Sequence, residues 1–124
     1  MKPFPEYRGC EWRVALTKAE RWGDGGQYFL VAIESVHDGP GSELSVLAFS
    51  CRDGRGEPAF AENYGPRGAG VQLVDANSFA VTVGEWSPGD PGCCPSHERR
   101  TTYSWNEGRR QFTESGSTRT ARPQ

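Results

Sequence analysis

The chain has 124 residues, a formal net charge of -2, and 35% hydrophobic against 24% charged residues. That length fits one domain with a modest core, and the slight acidity argues against nucleic acid as the main partner. No run of eighteen apolar residues exists to cross a membrane as a helix.

Sixteen glycines and nine prolines predict short segments joined by turns. Four tryptophans, six phenylalanines and four tyrosines must then supply most of the core, and they exclude a disordered composition. Charge is unevenly spread: residues 95–124 carry six arginines and three acids. The first reading of that excess is a basic hairpin and tail paired with an acidic body. A surface for a polyanion or acidic lipid is the second.

In chain order, MKPFPEYRGC reads as an extended lead-in, kept out of helix by Pro3 and Pro5. It has no apolar stretch of the signal-peptide kind, and Tyr7 and Arg8 do not make a lipobox ahead of Cys10. The expectation is a cytosolic chain, or one that starts after a removed export signal. EWRVAL alternates Trp12, Val14 and Leu16 with Glu11, Arg13 and Ala15, the period of a strand. WGDGG breaks it, with too few oxygen ligands for a calcium loop. QYFLVAIESV is the strongest strand; its middle is apolar on both faces, as in a position covered on both sides.

After the HDGPGS turn, ELSVLAFSC puts Leu44, Val46 and Ala48 on one face and Leu47, Phe49 and Cys51 on the other. RDGRGEPAF and NYGPRGAG read as irregular, with at most a short edge strand between them. VQLVDANSFAVTVGEW reads as two strands folded tightly around Asp75 to Asn77, with Phe79, Val81 and Val83 on one face. RRTTYSW then shares one side among Thr101, Tyr103 and Trp105. NEG, before RRQFTE, is expected to close a hairpin by a type I turn with a G1 bulge. The expected product is all-β: a small antiparallel sandwich or open barrel of six to eight strands. A single domain over residues 1–114 is followed by a flexible tail over 115–124.

Four cysteines, Cys10, Cys51, Cys93 and Cys94, allow three pairings. Adjacent Cα atoms lie about 3.8 Å apart, less than the roughly 4.4 to 6.8 Å a disulfide usually spans. In an extended chain, side chains of neighbours also point to opposite faces. The pair is therefore expected to reach two different partners, Cys10 and Cys51. Which takes which stays open.

Two rival chemistries use the same loop. Cys93, Cys94 and His97, with Cys51 or His37, make a soft-ligand metal set, although structural zinc favours cysteines two to four residues apart. Cys94 or Ser96 beside His97 makes a nucleophile and base, but no nucleophile elbow surrounds Ser96. No catalytic residue, metal or cofactor is therefore assigned. The candidate binding surface is the Ser87 to His97 loop with its neighbour Trp86, His97 itself, and Tyr103, Trp105, Arg109 and Arg110 of the last hairpin. The same aromatics read equally as core.

GDPGCCPS, with SFAVTVGEW before it and TTYSWNEGRRQF behind it, resembles the LppP/LprE-type bacterial lipoproteins over roughly residues 20–112. GDGGQYFLVAIESV and LSVLAFSC resemble the related pattern of a GDG turn before a strand and a later strand ending in cysteine. The resemblance implies export and a small domain of unassigned activity, with Cys51, Cys93 and Cys94 on matching positions. It brings no catalytic residues. The expectation is an extracytoplasmic, non-enzymatic domain that binds an envelope protein or ligand, with peripheral or lipid-anchored membrane association supplied by a signal outside this chain. The alternative is a thiol, redox or metal-dependent protein centred on Cys93, Cys94 and His97.

Overall fold

The structure, a computed structural model, describes residues 18–23, 25–36, 42–52, 54–65 and 68–122. Within them the chain is all-β: two antiparallel four-stranded sheets, each a meander of consecutive strands. The first holds β1 (Lys18–Trp22), β2 (Tyr28–Val36), β3 (Ser42–Arg52) and β4 (Arg55–Gly65). The second holds β5 (Gly68–Asp75), β6 (Ser78–Glu85), β7 (His97–Asn106) and β8 (Gln111–Ala121). The sheets do not close into a barrel.

Period-two patterning decides what each face does. Tyr28, Leu30 and Ala32 of β2 join Leu44, Val46 and Ala48 of β3 on the face towards the second sheet. Phe79 and Val81 of β6 and Phe112 of β8 meet them, with Tyr103 and Trp105 packed alongside. Phe79 is wholly buried, and its ring lies 5.1 Å from Phe60, 5.4 Å from Tyr103 and 5.3 Å from Phe112. Burying such a side chain stabilises the fold by about 1.5–3 kcal/mol.

On the opposite face of the first sheet, Phe29 pairs with Phe49 and Val31 with Leu47, and these four form a second buried cluster. The both-faces-apolar middle of β2 is therefore covered on both sides, as its sequence predicts.

Four expectations change. The EWRVAL strand lies outside the described residues, while β1 begins at Lys18 and runs into Trp22, which the sequence reading gave to a turn. Trp22 is drawn in because its indole stacks on Phe112 at 5.5 Å and meets Tyr28 at 5.0 Å. The supposedly irregular region around Pro58 is the eleven-residue β4. It is an edge strand whose register shifts between Ala48 and Phe49 of β3, and a bulge or edge is where proline is tolerated.

The chain after Glu114 is the second half of β8 rather than a loose tail, paired from Gly116↔Thr102 to Ala121↔His97. Its polar side chains hid a strand whose stabilisation comes from the backbone ladder. Finally, Arg109 and Arg110 sit in the β7–β8 turn rather than in a strand. Arg110, with φ 52°, takes the left-handed position expected of Gly108. Asn106 Oδ1 accepts the Arg109 N–H at 3.0 Å and helps set that four-residue turn.

Candidate functional site

The β6–β7 loop, residues 86–96, is made of two successive tight turns. Ser87-Pro88-Gly89-Asp90 has the Asp90 N–H donating to Ser87 O at 3.0 Å and Gly89 at φ 90°. Proline second and a positive-φ glycine third define a type II turn. Pro91-Gly92-Cys93-Cys94 follows, with the Cys94 N–H donating to Pro91 O at 3.0 Å.

In that second turn Cys93 and Cys94 are bonded to each other across a trans peptide, S–S 2.17 Å and Cα–Cα 3.8 Å. This corrects the expected pairing of each with a distant cysteine. The expectation assumed an extended chain with alternating side chains; in a turn that alternation is gone. Cys51 is also disulfide-bonded. Cys10 lies outside the described residues.

Side chains fix the loop to the sheet end. Asp90 Oδ2 accepts the N–H of Ser87 at 2.7 Å and of Ser96 at 2.8 Å. Those two bonds hold the Asp90 carboxyl below its usual range, the Ser87 N–H contributing most. Pro95 is buried against Gly84. A Cβ at Gly84 would lie 2.8 Å from Pro95 Cγ, so the close approach needs glycine. Trp86 donates its indole N–H to Pro91 O at 3.0 Å yet stays 39% exposed. Ser96 Oγ donates to Ser87 Oγ at 3.1 Å and lies 2.9 Å from His97 Nδ1.

Next to the loop, Glu85 accepts from Arg99 Nε at 2.7 Å and from Arg119 Nε at 2.8 Å. The Arg99 bond is the larger cause that holds the Glu85 carboxyl below its usual range. The sequence reading of a basic hairpin and tail paired with an acidic body includes both arginines, but it did not single out these three residues as a site. The signal was available: Arg99 continues the Thr101, Tyr103, Trp105 face by the same period of two.

The six residues expected to bind do not form one surface. Trp86 and His97 stand at the loop end, and Trp105, Arg109 and Arg110 at the other end of β7. His97 and Trp105 lie eight residue steps apart along the strand, about 27 Å. At that far end Arg110 lies 5.4 Å over the Trp105 ring and pairs with Glu57 at 3.3 Å and Glu107 at 3.4 Å. Tyr103 lies between the ends, packed on the core, its hydroxyl 3.2 Å from that of Tyr64. An open cleft of about 360 Å³ between β4 and β8 is lined by Pro58, Ala59, Phe60, Ala61, Gln111 and Phe112, none of them titratable.

The arrangement presents a braced loop with an exposed indole and a disulfide. Among the described residues no three His, Cys, Asp or Glu side chains gather as a metal ion requires. No helix among them is long and apolar enough to cross a membrane. Compared with family models, curated proteins and solved structures, the chain matches none.

Proposed function

We propose that this chain is an extracytoplasmic, non-enzymatic β domain that acts by binding an envelope protein or ligand through its β6–β7 loop. The observation that carries the compartment is the cysteine state: Cys51, Cys93 and Cys94 are all in disulfides. Such bonds persist in oxidising compartments. The Cys-Cys-Pro-Ser resemblance to LppP/LprE-type lipoproteins supports the same placement and adds a membrane anchor to the proposal. Binding is supported by the loop, which is held rigid by Asp90, Pro95 and the vicinal bond while Trp86 stays exposed. Ordering such a loop in advance lowers the entropic cost of binding.

The test is alkylation of the native protein in fractionated cells without reductant, with a photo-crosslinking residue in place of Trp86. An envelope-located, unalkylated protein that crosslinks at position 86 and not at a control position, Val74, is expected. Cytosolic protein with alkylated Cys93 and Cys94 overturns the export reading, and no crosslink at position 86 overturns the binding one.

One observation favours a second reading. The joined pair is exposed at both residues, so an external dithiol can reach it, transferring two electrons and two protons to give Cys93 and Cys94 thiols and its own disulfide. That redox reading requires a mixed dithiol and disulfide population in the cell, which the same alkylation measures.

A further inference from the structure

We propose that Arg99 and Arg119 form a receptor for a tetrahedral oxyanion, a sulfate or phosphate group, where the β6–β7 loop folds back on the second sheet. The inference rests on the binding reading and names what that end of the domain holds.

Arg99 and Arg119 are directly opposed on β7 and β8. Like charges in that relation repel and weaken a sheet. Just along the same face of β7, Thr101 and Tyr103 show that neutral residues serve there. One carboxylate, Glu85, bridges the two guanidiniums through both of its oxygens. The trio keeps a charge of +1, because the second arginine is not neutralised.

The pinning leaves donors uncommitted. Arginine has five N–H groups in a rigid fork. Arg99 gives Nε to Glu85 and Nη1 to Ser117 Oγ at 3.0 Å; Arg119 gives Nε to Glu85 and directs Nη2 towards Ser87 Oγ at 3.5 Å. Their side chains remain 39% and 43% exposed, and their other terminal N–H groups make no hydrogen bond among the described residues.

Around them stand the hydroxyls of Ser87, Ser96 and Ser117, with His97 against Ser96. Two forks fixed by a shared carboxylate and rimmed by hydroxyls match the several acceptor oxygens of a tetrahedral anion. The carboxylate sets their spacing and moderates their affinity.

The test follows the side-chain Nε–H resonances of Arg99 and Arg119 by NMR in the full chain. Inorganic phosphate is titrated at constant ionic strength with chloride as the blank, and a sulfated dextran oligosaccharide forms a second arm. A saturable shift at both arginines is expected. Arg119→Gln should weaken binding about tenfold, the worth of a charged hydrogen bond. Glu85→Gln should tighten it about threefold by removing the competing carboxylate. Arg55→Gln, the same charge change on the other sheet, should leave it unaltered.

Saturation by phosphate assigns a small free anion, and saturation by the oligosaccharide alone assigns a group carried on a polymer. Saturation by neither, or equal affinity in Arg119→Gln, overturns the proposal. Should Arg119→Gln not fold, Arg119→Lys keeps the charge without the fork, and unchanged affinity there overturns it as well. A negative result beside a positive crosslink at position 86 removes the anion site and leaves the binding reading standing.

Discussion

Asp90 Oδ2 accepts the backbone N–H of Ser96 at 2.8 Å and so ties the start of the Cys-Cys loop to its end. The same oxygen takes the Ser87 N–H, so the loop base hangs on one carboxylate. Asp90→Ala should speed amide exchange at Ser87 and Ser96 and alter Trp86 fluorescence. The Asp90 pKa is depressed in the fold, chiefly by the Ser87 N–H. Its contribution is therefore present above the ordinary carboxylate range and lost as pH falls through the lowered value. Urea unfolding of both proteins from neutral pH into acid should show their stability gap closing in acid. A gap independent of pH would refute this assignment.

The disulfide pattern has a direct chemical test. No Lys or Arg lies between Gly68 and Glu98, so trypsin releases Cys93 and Cys94 in one peptide ending at Arg99. Without reductant that peptide should appear alone, lighter by the hydrogens lost in one S–S bond. By elimination, the peptide GCEWR bearing Cys10 should be linked to the one bearing Cys51. Finding the Cys93–Cys94 peptide joined to either would restore the two-partner pairing read from sequence.

The contrast between those pairings shows what the sequence could reveal. Strands β2 and β3 were legible from apolar runs that fill both faces, and β6 and β7 from apolar residues that alternate against a buried face. The second half of β8 was not, since Ser115 to Ala121 are exposed and held by backbone bonds that leave no hydrophobic pattern. The loop's cysteines were found at once but misjoined, because turn geometry at 91–94 is a local backbone choice that spacing alone does not fix. Arg99 and Glu85 were not singled out for a related reason. The period of two puts Arg99 on the Thr101, Tyr103 and Trp105 face, but which acid it meets depends on the β6–β7 register, which spacing alone does not fix.

Gly84 is the point where sheet and loop come closest, and adding one methyl there tests the bracing. The new Cβ of Gly84→Ala would sit 2.8 Å from Pro95 Cγ and 3.4 Å from Trp86 Cη2. A proline ring cannot swing aside, so the loop must lift. A loss of about 1–3 kcal/mol, the usual range for overpacking, is expected, with a changed Trp86 emission. Gly70→Ala, where a Cβ meets nothing within 4 Å, is the control.

Core and surface should separate sharply under truncation. Phe79 is fully buried among four rings, whereas Val74 is 43% exposed. Phe79→Ala should cost about 3–5 kcal/mol by denaturant unfolding. Val74→Ala should stay within about 0.5 kcal/mol of the parent. Equal losses would mean that the aromatic cluster does not join the sheets.

Tyr64 on β4 and Tyr103 on β7 join hydroxyls across the two sheets at 3.2 Å. Burial, then the bond to Tyr103, pushes the Tyr64 hydroxyl pKa well above its ordinary value near 10. The folded state thus keeps a proton that the unfolded chain gives up. Stability from this group is complete below about pH 10 and declines above it. Tyr64→Phe should cost about 0.5–1.5 kcal/mol at neutral pH, the net worth of one hydrogen bond. Above about pH 10 the parent should lose stability faster than the variant, because phenylalanine has no proton to release. Unfolding curves collected on both sides of that pH decide it, and parallel alkaline limbs would show that Tyr64 ionises as freely in the fold as outside it.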